Sequence, residues 1–135
     1  MFCAIDFGTS NSAIGVAGPD GAMTLVELEP GHRTMPTAVF YVADTAAGGG
    51  ASVATRCFGR AAIAAYVEGT DGRLMRSMKS LLGSKLLDQS TEIGAGRGVK
   101  YRDVIAGYLQ HLKACAEAHG GAPIRHAMLG RPVFF

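Results

Sequence analysis

The 135-residue chain has little net charge, few cysteines and no long apolar run. Its 13 Lys and Arg residues nearly balance 11 Asp and Glu residues, and the two signs are mixed. We therefore expect no binding to nucleic acid or to an anionic membrane. No stretch approaches membrane-spanning length, and the N-terminus lacks the basic segment and apolar run of a signal peptide. A cytoplasmic protein is expected.

The three cysteines, Cys3, Cys57 and Cys115, are odd in number and widely spaced. Cys3 falls in a strand pattern and Cys115 in a helix pattern, which favours buried free thiols over disulfides or a metal site. Free thiols fit a reducing compartment.

Apolar residues and glycine are plentiful. Hydrophobic residues make up 48% of the chain, which is ample for the core of one domain or part of one. Nineteen glycines predict many tight turns.

Hydrophobic patterning predicts an antiparallel meander, an α/β insertion, a long helix and a final strand. The predicted strands are 2–7, 12–18, 23–28, 36–42, 55–58 and 124–129, with a weaker one at 91–93. The predicted helices are 60–68, about 72–82, and one that starts at an Asp103 N-cap and ends at Gly120-Gly121. Residues 44–52 read as a flexible loop. Because a long helix precedes the last strand, we expect that strand to join a mixed sheet in parallel.

The turn between the first two predicted strands carries the first candidate site. Asp6 interrupts an apolar run just before Gly8-Thr9-Ser10-Asn11. Backbone N–H groups and the two hydroxyls of such a turn can bind phosphate, and Asp6 can hold the hydration shell of Mg²⁺. An ordinary hairpin with local Asx-type bonds remains the alternative. The turn is not a Walker A loop, since no Gly-Lys-Ser/Thr follows.

A second candidate lies in the predicted helix at 72–82. Arg73, Arg76 and Lys79 form an i, i+3, i+6 row on one side of that helix. For Arg73 and Arg76 we favour a solvated basic face.

Four stretches resemble one known family. Residues 6–12 (DFGTSNS) resemble the first phosphate motif of the actin, sugar-kinase and heat-shock-chaperone ATPase superfamily. The likeness is closest to the nucleotide-binding domain of the 70-kDa heat-shock chaperones of the DnaK type. Residues 31–40 (GHRTMPTAVF), 78–83 (MKSLLG) and 109–135 resemble later segments of that domain, in the same order.

The resemblance implies an α/β, ribonuclease H-like (actin-like ATPase) fold, and within it the N-terminal part of the first lobe. Residues 2–28 would be core strands, about 32–100 the inserted subdomain, and 103–132 the crossover helix and strand. The final Phe134-Phe135 pair is a poor domain end, which agrees with a fragment of a longer protein.

The resemblance also implies roles for single residues. Asp6 would hold the hydrated Mg²⁺ through water. Lys79 would reach the γ-phosphate and orient the attacking water. Pro132 would relay the nucleotide state between lobes. The residues that would bind the β- and γ-phosphates of ATP or ADP are Gly8, Thr9, Ser10 and Asn11.

Two departures suggest a divergent, chaperone-like branch. Ser80 stands where the family has arginine after the catalytic lysine, and Arg131 adds a charge beside Pro132. The second phosphate motif and the adenosine motif do not occur in these 135 residues. Unfolded polypeptide clients and co-chaperones are the partners that the resemblance implies.

Three functions stay open. The first is an ATP-hydrolysing, heat-shock-70-like chaperone protein. The second is a non-hydrolysing nucleotide-binding module or scaffold of the same fold. The third is a sugar or acetate kinase, which ranks last. Such kinases commonly carry a basic residue shortly after the turn, where this chain has Ser12-Ala13-Ile14.

Overall fold

The computed structural model describes residues 2–43, 55–94 and 96–130, and in them the chain folds as mixed α/β. The strands are β1 (Phe2–Phe7), β2 (Asn11–Ala17), β3 (Met23–Leu25), β4 (Met35–Pro36), β5 (Ala38–Val42), β6 (Arg56–Phe58), β7 (Gly72–Arg76), β8 (Ser90–Gly94), β9 (Arg97–Lys100) and β10 (His126–Leu129). The α-helices are α1 (Gly59–Val67) and α2 (Tyr101–Gly120), and the 3-10 helices are Met78–Leu81 and Lys85–Asp88.

The main sheet has the strand order β10-β1-β2-β3, with β4 paired to β2. β1, β2 and β3 are antiparallel, so the predicted meander is confirmed, although β3 ends at Leu25 rather than at residue 28. β10 pairs with β1 in parallel, with Ile5 opposite Leu129. The predicted parallel crossover is therefore confirmed.

Helix α2 covers this sheet with an apolar stripe at helical spacing. Val104, Tyr108, Leu112 and Ala116 are fully buried and share one core with strand residues such as Ile14. The predicted N-cap is wrong. Lys100 is the capping residue, and Asp103 lies inside the first turn, where a carboxylate favours the positive end of the helix dipole.

A second sheet has the order β6-β5-β7 and packs against α1. Ala38, Phe40 and Ala62 form a small core of their own. The start of α1 is tied to the main sheet region by Glu29. Its carboxylate accepts the backbone N–H of Arg60 at 2.8 Å and pairs with the guanidinium of that residue at 2.5 Å.

The predicted helix at 72–82 is wrong. Residues 72–76 form β7, which pairs with β5, and only Met78–Leu81 is helical, as a short 3-10 turn. A Cβ atom at Gly72 would lie 2.1 Å from the carbonyl oxygen of Tyr41, so glycine lets the two strands approach. Arg73 and Arg76 are consequently not neighbours on a helix.

The predicted strand at 91–93 belongs to β8, which forms a hairpin with β9. The predicted loop at 44–52 lies outside the described residues. Neither described helix has the length and apolarity needed to cross a membrane.

In the described parts of the chain, Cys3, Cys57 and Cys115 are free thiols. Cys3 is buried and the other two are half-buried. Burial raises the pKa of all three, so the protonated thiol is the dominant form near neutral pH.

Candidate anion-binding site at the β1–β2 turn

Gly8, Thr9 and Ser10 connect β1 to β2 in a tight turn. A Cβ atom at Gly8 would lie 2.1 Å from the carbonyl oxygen of Asn11, a distance that no real Cβ contact tolerates. Only glycine therefore allows this turn to close.

Two buried hydroxyl groups hold the turn from below. The Thr37 hydroxyl donates to the carbonyl oxygen of Gly8 at 2.9 Å, and the Thr37 backbone N–H donates to that of Ser10 at 2.9 Å. The Ser12 hydroxyl lies 2.7 Å from the Thr37 hydroxyl. Since the Thr37 proton is given to Gly8, Ser12 must be the donor in this pair. Ser12 and Thr37 are each only 1% exposed.

Tyr108 of α2 fixes the segment that carries Thr37. Its hydroxyl donates to the carbonyl oxygen of Pro36 at 2.9 Å, and its ring meets that of Phe7 edge-on at 6.0 Å. Burial raises the pKa of Tyr108; the nearby hydroxyls of Ser12 and Thr37 lower it to a smaller extent, and the charge of Glu29 raises it. The phenol remains a neutral donor, so its bond to Pro36 holds the segment from which Thr37 bonds to the turn.

A pocket of about 300 Å³ opens beside the turn. Its lining residues are Thr9, Ser10, Pro36, Thr37, Ala38, Ile63, Arg76 and Ser77. Four of the eight carry hydroxyls, one is cationic and none is acidic. Thr9 and Ser10 are exposed, and their hydroxyls bond to no other group in the described chain. These two hydroxyls are therefore free to bind a ligand.

Sequence reasoning missed three contributors to this site. Thr37 was assigned only to a strand, although it anchors the turn. Arg76 and Ser77 were placed in a helix, whereas Arg76 ends β7 and Ser77 follows it with a left-handed φ of 57°. No sequence signal marks 72–76 as a strand, because polar and apolar residues do not alternate in this segment and only Met75 is buried.

Asp6 is exposed on β1, opposite Ala13, although the apolar run around it suggested burial. Its carboxylate forms no ion pair within residues 2–43, 55–94 and 96–130. No three His, Cys, Asp or Glu side chains in those ranges come together as a metal site. A single exposed carboxylate fits a Mg²⁺ ion that keeps its water shell, and does not fit an ion held by protein ligands alone.

Lys79 is half-buried in the 3-10 helix Met78–Leu81. It does not line the pocket that holds Thr9 and Ser10, although Ser77, two residues earlier, does. The structure thus brings the turn together with Arg76 rather than with Lys79. Pro132 lies outside the described residues.

A comparison of the sequence with models of known protein families gave no match. The resemblance to the heat-shock chaperones therefore remains a prediction from residues 6–12 and the three later stretches.

Proposed function

We propose that this chain binds ATP or ADP at the β1–β2 turn, as the N-terminal part of a cytoplasmic, heat-shock-70-like ATPase with an actin-like fold. The observation that carries the proposal is the turn itself. Thr9 and Ser10 present two free hydroxyls above a backbone that Thr37 holds rigidly, beside a pocket with a cation and no acid.

This arrangement suits phosphate because phosphoryl transfer depends on positioning and charge neutralisation more than on covalent chemistry. Gly8 and Asn11 set the path of the turn, and Thr9 and Ser10 would donate to phosphate oxygens. Asp6 would hold Mg²⁺ through its water shell, and the ion would neutralise part of the phosphate charge.

Hydrolysis would need groups that these 135 residues do not supply. The family to which the chain is similar clamps the nucleotide between two lobes, and the second phosphate motif belongs to the other lobe. We therefore expect the longer parent protein to hydrolyse ATP slowly with Mg²⁺, and the 135-residue chain alone to hydrolyse none. Polypeptide clients and co-chaperones would be partners of that parent.

A single-turnover ATP hydrolysis assay on the parent and on the 135-residue chain tests this proposal. Turnover by the parent alone supports it. Equal turnover by both would contradict the two-lobe argument, and no nucleotide binding by either would contradict the proposal as a whole.

A non-hydrolysing nucleotide-binding module is the second candidate. It is favoured by the position of Lys79 outside the pocket that Thr9 and Ser10 line. Tight binding of Mg-ATP by the parent without any release of phosphate would decide for this candidate.

A further inference from the structure

Arg76 is the last residue of β7 and lies opposite Ala38 of β5. Alternate residues of a strand share a face, so Arg76 lies on the same side as Leu74. Leu74 packs with Ile63 of α1 against the small core of the second sheet. The side chain of Arg76 is therefore on the α1 side, where it lines the pocket together with Thr9 and Ser10.

The guanidinium of Arg76 has no counter-ion in the part of the chain that the structure describes, and it forms no hydrogen bond there. The pocket around it contains hydroxyl groups and apolar surface but no carboxylate. Arginine presents planar, fork-shaped donors that match two oxygens of a phosphate or a carboxylate, so the chemistry of the pocket suits an oxyanion, and the hydroxyls around it can donate to the further oxygens of a phosphate.

We propose that Arg76 is a phosphate ligand, whose guanidinium binds a phosphate group seated on the hydroxyls of Thr9 and Ser10. The inference rests on the proposed function and adds a cation from the second sheet, which the resemblance does not assign. The bound group is either the terminal phosphate of a nucleotide or free orthophosphate. In both cases the positive charge that faces the pocket comes from Arg76 of β7 and not from Lys79 of the 3-10 helix.

Arg73 provides a matched control on the same strand. It is three residues away, so it lies on the opposite face of β7, and it does not line this pocket. Removing either arginine changes the net charge equally. A general electrostatic effect would thus weaken anion binding in both variants, whereas a direct contact would weaken it in one.

The test is an NMR titration of the 135-residue chain with inorganic phosphate, Mg-ADP and Mg-ATP, following the backbone amides of Thr9, Ser10 and Ser77. Arg76→Ala should weaken binding at least about tenfold, because a charge-assisted hydrogen bond is lost. Arg73→Ala should leave affinity within about twofold, since exposed charges at a distance are screened. Arg76→Lys should retain part of the affinity, because lysine keeps the positive charge but lacks the fork-shaped guanidinium.

The three probes separate the two sources of phosphate. If Arg76→Ala weakens Mg-ATP and spares Mg-ADP, the ligand is the terminal phosphate. If it weakens inorganic phosphate and spares both nucleotides, the ligand is orthophosphate. Either outcome supports the assignment of Arg76 as a phosphate ligand.

Two outcomes overturn the inference in distinguishable ways. Wild-type binding at Thr9 and Ser10 that Arg76→Ala leaves unchanged refutes the role of Arg76 and leaves the proposed function intact. Absence of binding for all three probes, by the wild-type chain and by the longer protein that we propose, refutes both. Because Arg76 is exposed, Arg76→Ala should keep the dispersed amide spectrum of the wild type, and that spectrum checks its folding.

Discussion

The β1–β2 turn and the Lys79 segment were both predicted to form the nucleotide site, and they are built in opposite ways. The turn is held by Thr37, which is far away in sequence and bonds beneath the turn to Gly8 and to Ser12. The hydrogen bonds of the Lys79 segment are local. Its carbonyl oxygen accepts from Leu82, and the Ser80 hydroxyl donates to Ser77 at 3.2 Å.

The difference concerns preorganisation. A turn fixed by buried hydrogen bonds presents its hydroxyls to a ligand without a cost of ordering them. A four-residue 3-10 helix that follows a left-handed residue has few such restraints, apart from the buried Met78. We therefore expect Thr9 and Ser10 to be in place before a ligand arrives, and Lys79 to be positioned only when the site is complete.

Among the variants that test this comparison, Gly8→Ala should lower the free energy of unfolding the most. The new Cβ would collide with the carbonyl oxygen of Asn11, and the turn would have to open, at a cost of about 3 kcal/mol or more. Urea denaturation measures the loss. Gly98→Ala is the control, because its Cβ would meet only ordinary contacts at 3.6 Å. Equal losses for the two variants would contradict a closed turn.

Lys79→Ala, made in the longer ATPase that we propose, should lower ATP hydrolysis by at least about 10²-fold and leave nucleotide affinity within about threefold. The reason is that a cation on the developing charge acts in the transition state more than in the ground state. Single-turnover rates and a binding titration check both halves. Lys85→Ala is the control on the neighbouring 3-10 helix. Unchanged turnover would place Lys79 on a solvated surface.

Thr37→Val should cost about 1–3 kcal/mol of stability, because it leaves the Gly8 carbonyl and the Ser12 hydroxyl unpaired while keeping the side-chain shape. Thermal unfolding measures it, with the exposed Thr24→Val of β3 as the control. The amides of Thr9 and Ser10 should broaden or shift in the first variant only. A turn that keeps its wild-type spectrum would show that Thr37 does not restrain it.

The smallest expected effect is a change in how the stability of the fold depends on pH. Burial of His111, which stacks on Phe58 at 4.3 Å, lowers its pKa below 6.5; nearby Glu29 opposes this shift and Arg56 adds to it. The neutral ring is favoured in the folded state, so stability is complete above pH 6.5 and falls as the pH drops through that value towards the lower folded pKa. Urea unfolding at about pH 7.5 and about pH 5.5 should show a smaller loss in His111→Phe than in the wild type. Equal losses would contradict a depressed pKa.

The parts of the fold that follow from one repeating pattern could be predicted from the sequence. The stripe from Val104 to Ala116 predicts α2, and two apolar runs on either side of a Gly-Thr-Ser turn predict the β1–β2 hairpin. Residues 72–82 could not be assigned in this way. The spacing of Leu74, Met75 and Met78 is typical of a helix. Residues 72–76 instead form a strand, because they pair with the edge of β5.

The candidate site was predictable only where its residues are contiguous. Thr9 and Ser10 are neighbours in sequence, so a motif can reveal them. Thr37 and Arg76 reach the turn through strand pairing, and Arg76 owes its position to the register that sets it opposite Ala38. No local sequence pattern determines this register, because the register depends on which strands pair with each other in the folded sheet.

The bond from Tyr108 to Pro36 has one more consequence. It runs from the middle of α2 to the residue before Thr37, whose own bonds end on Gly8 and Ser10. A shift of the helix along its axis must therefore move the turn. The amide resonances of Thr9 and Ser10 can then serve as a spectroscopic gauge of where α2 sits, even when no ligand is present.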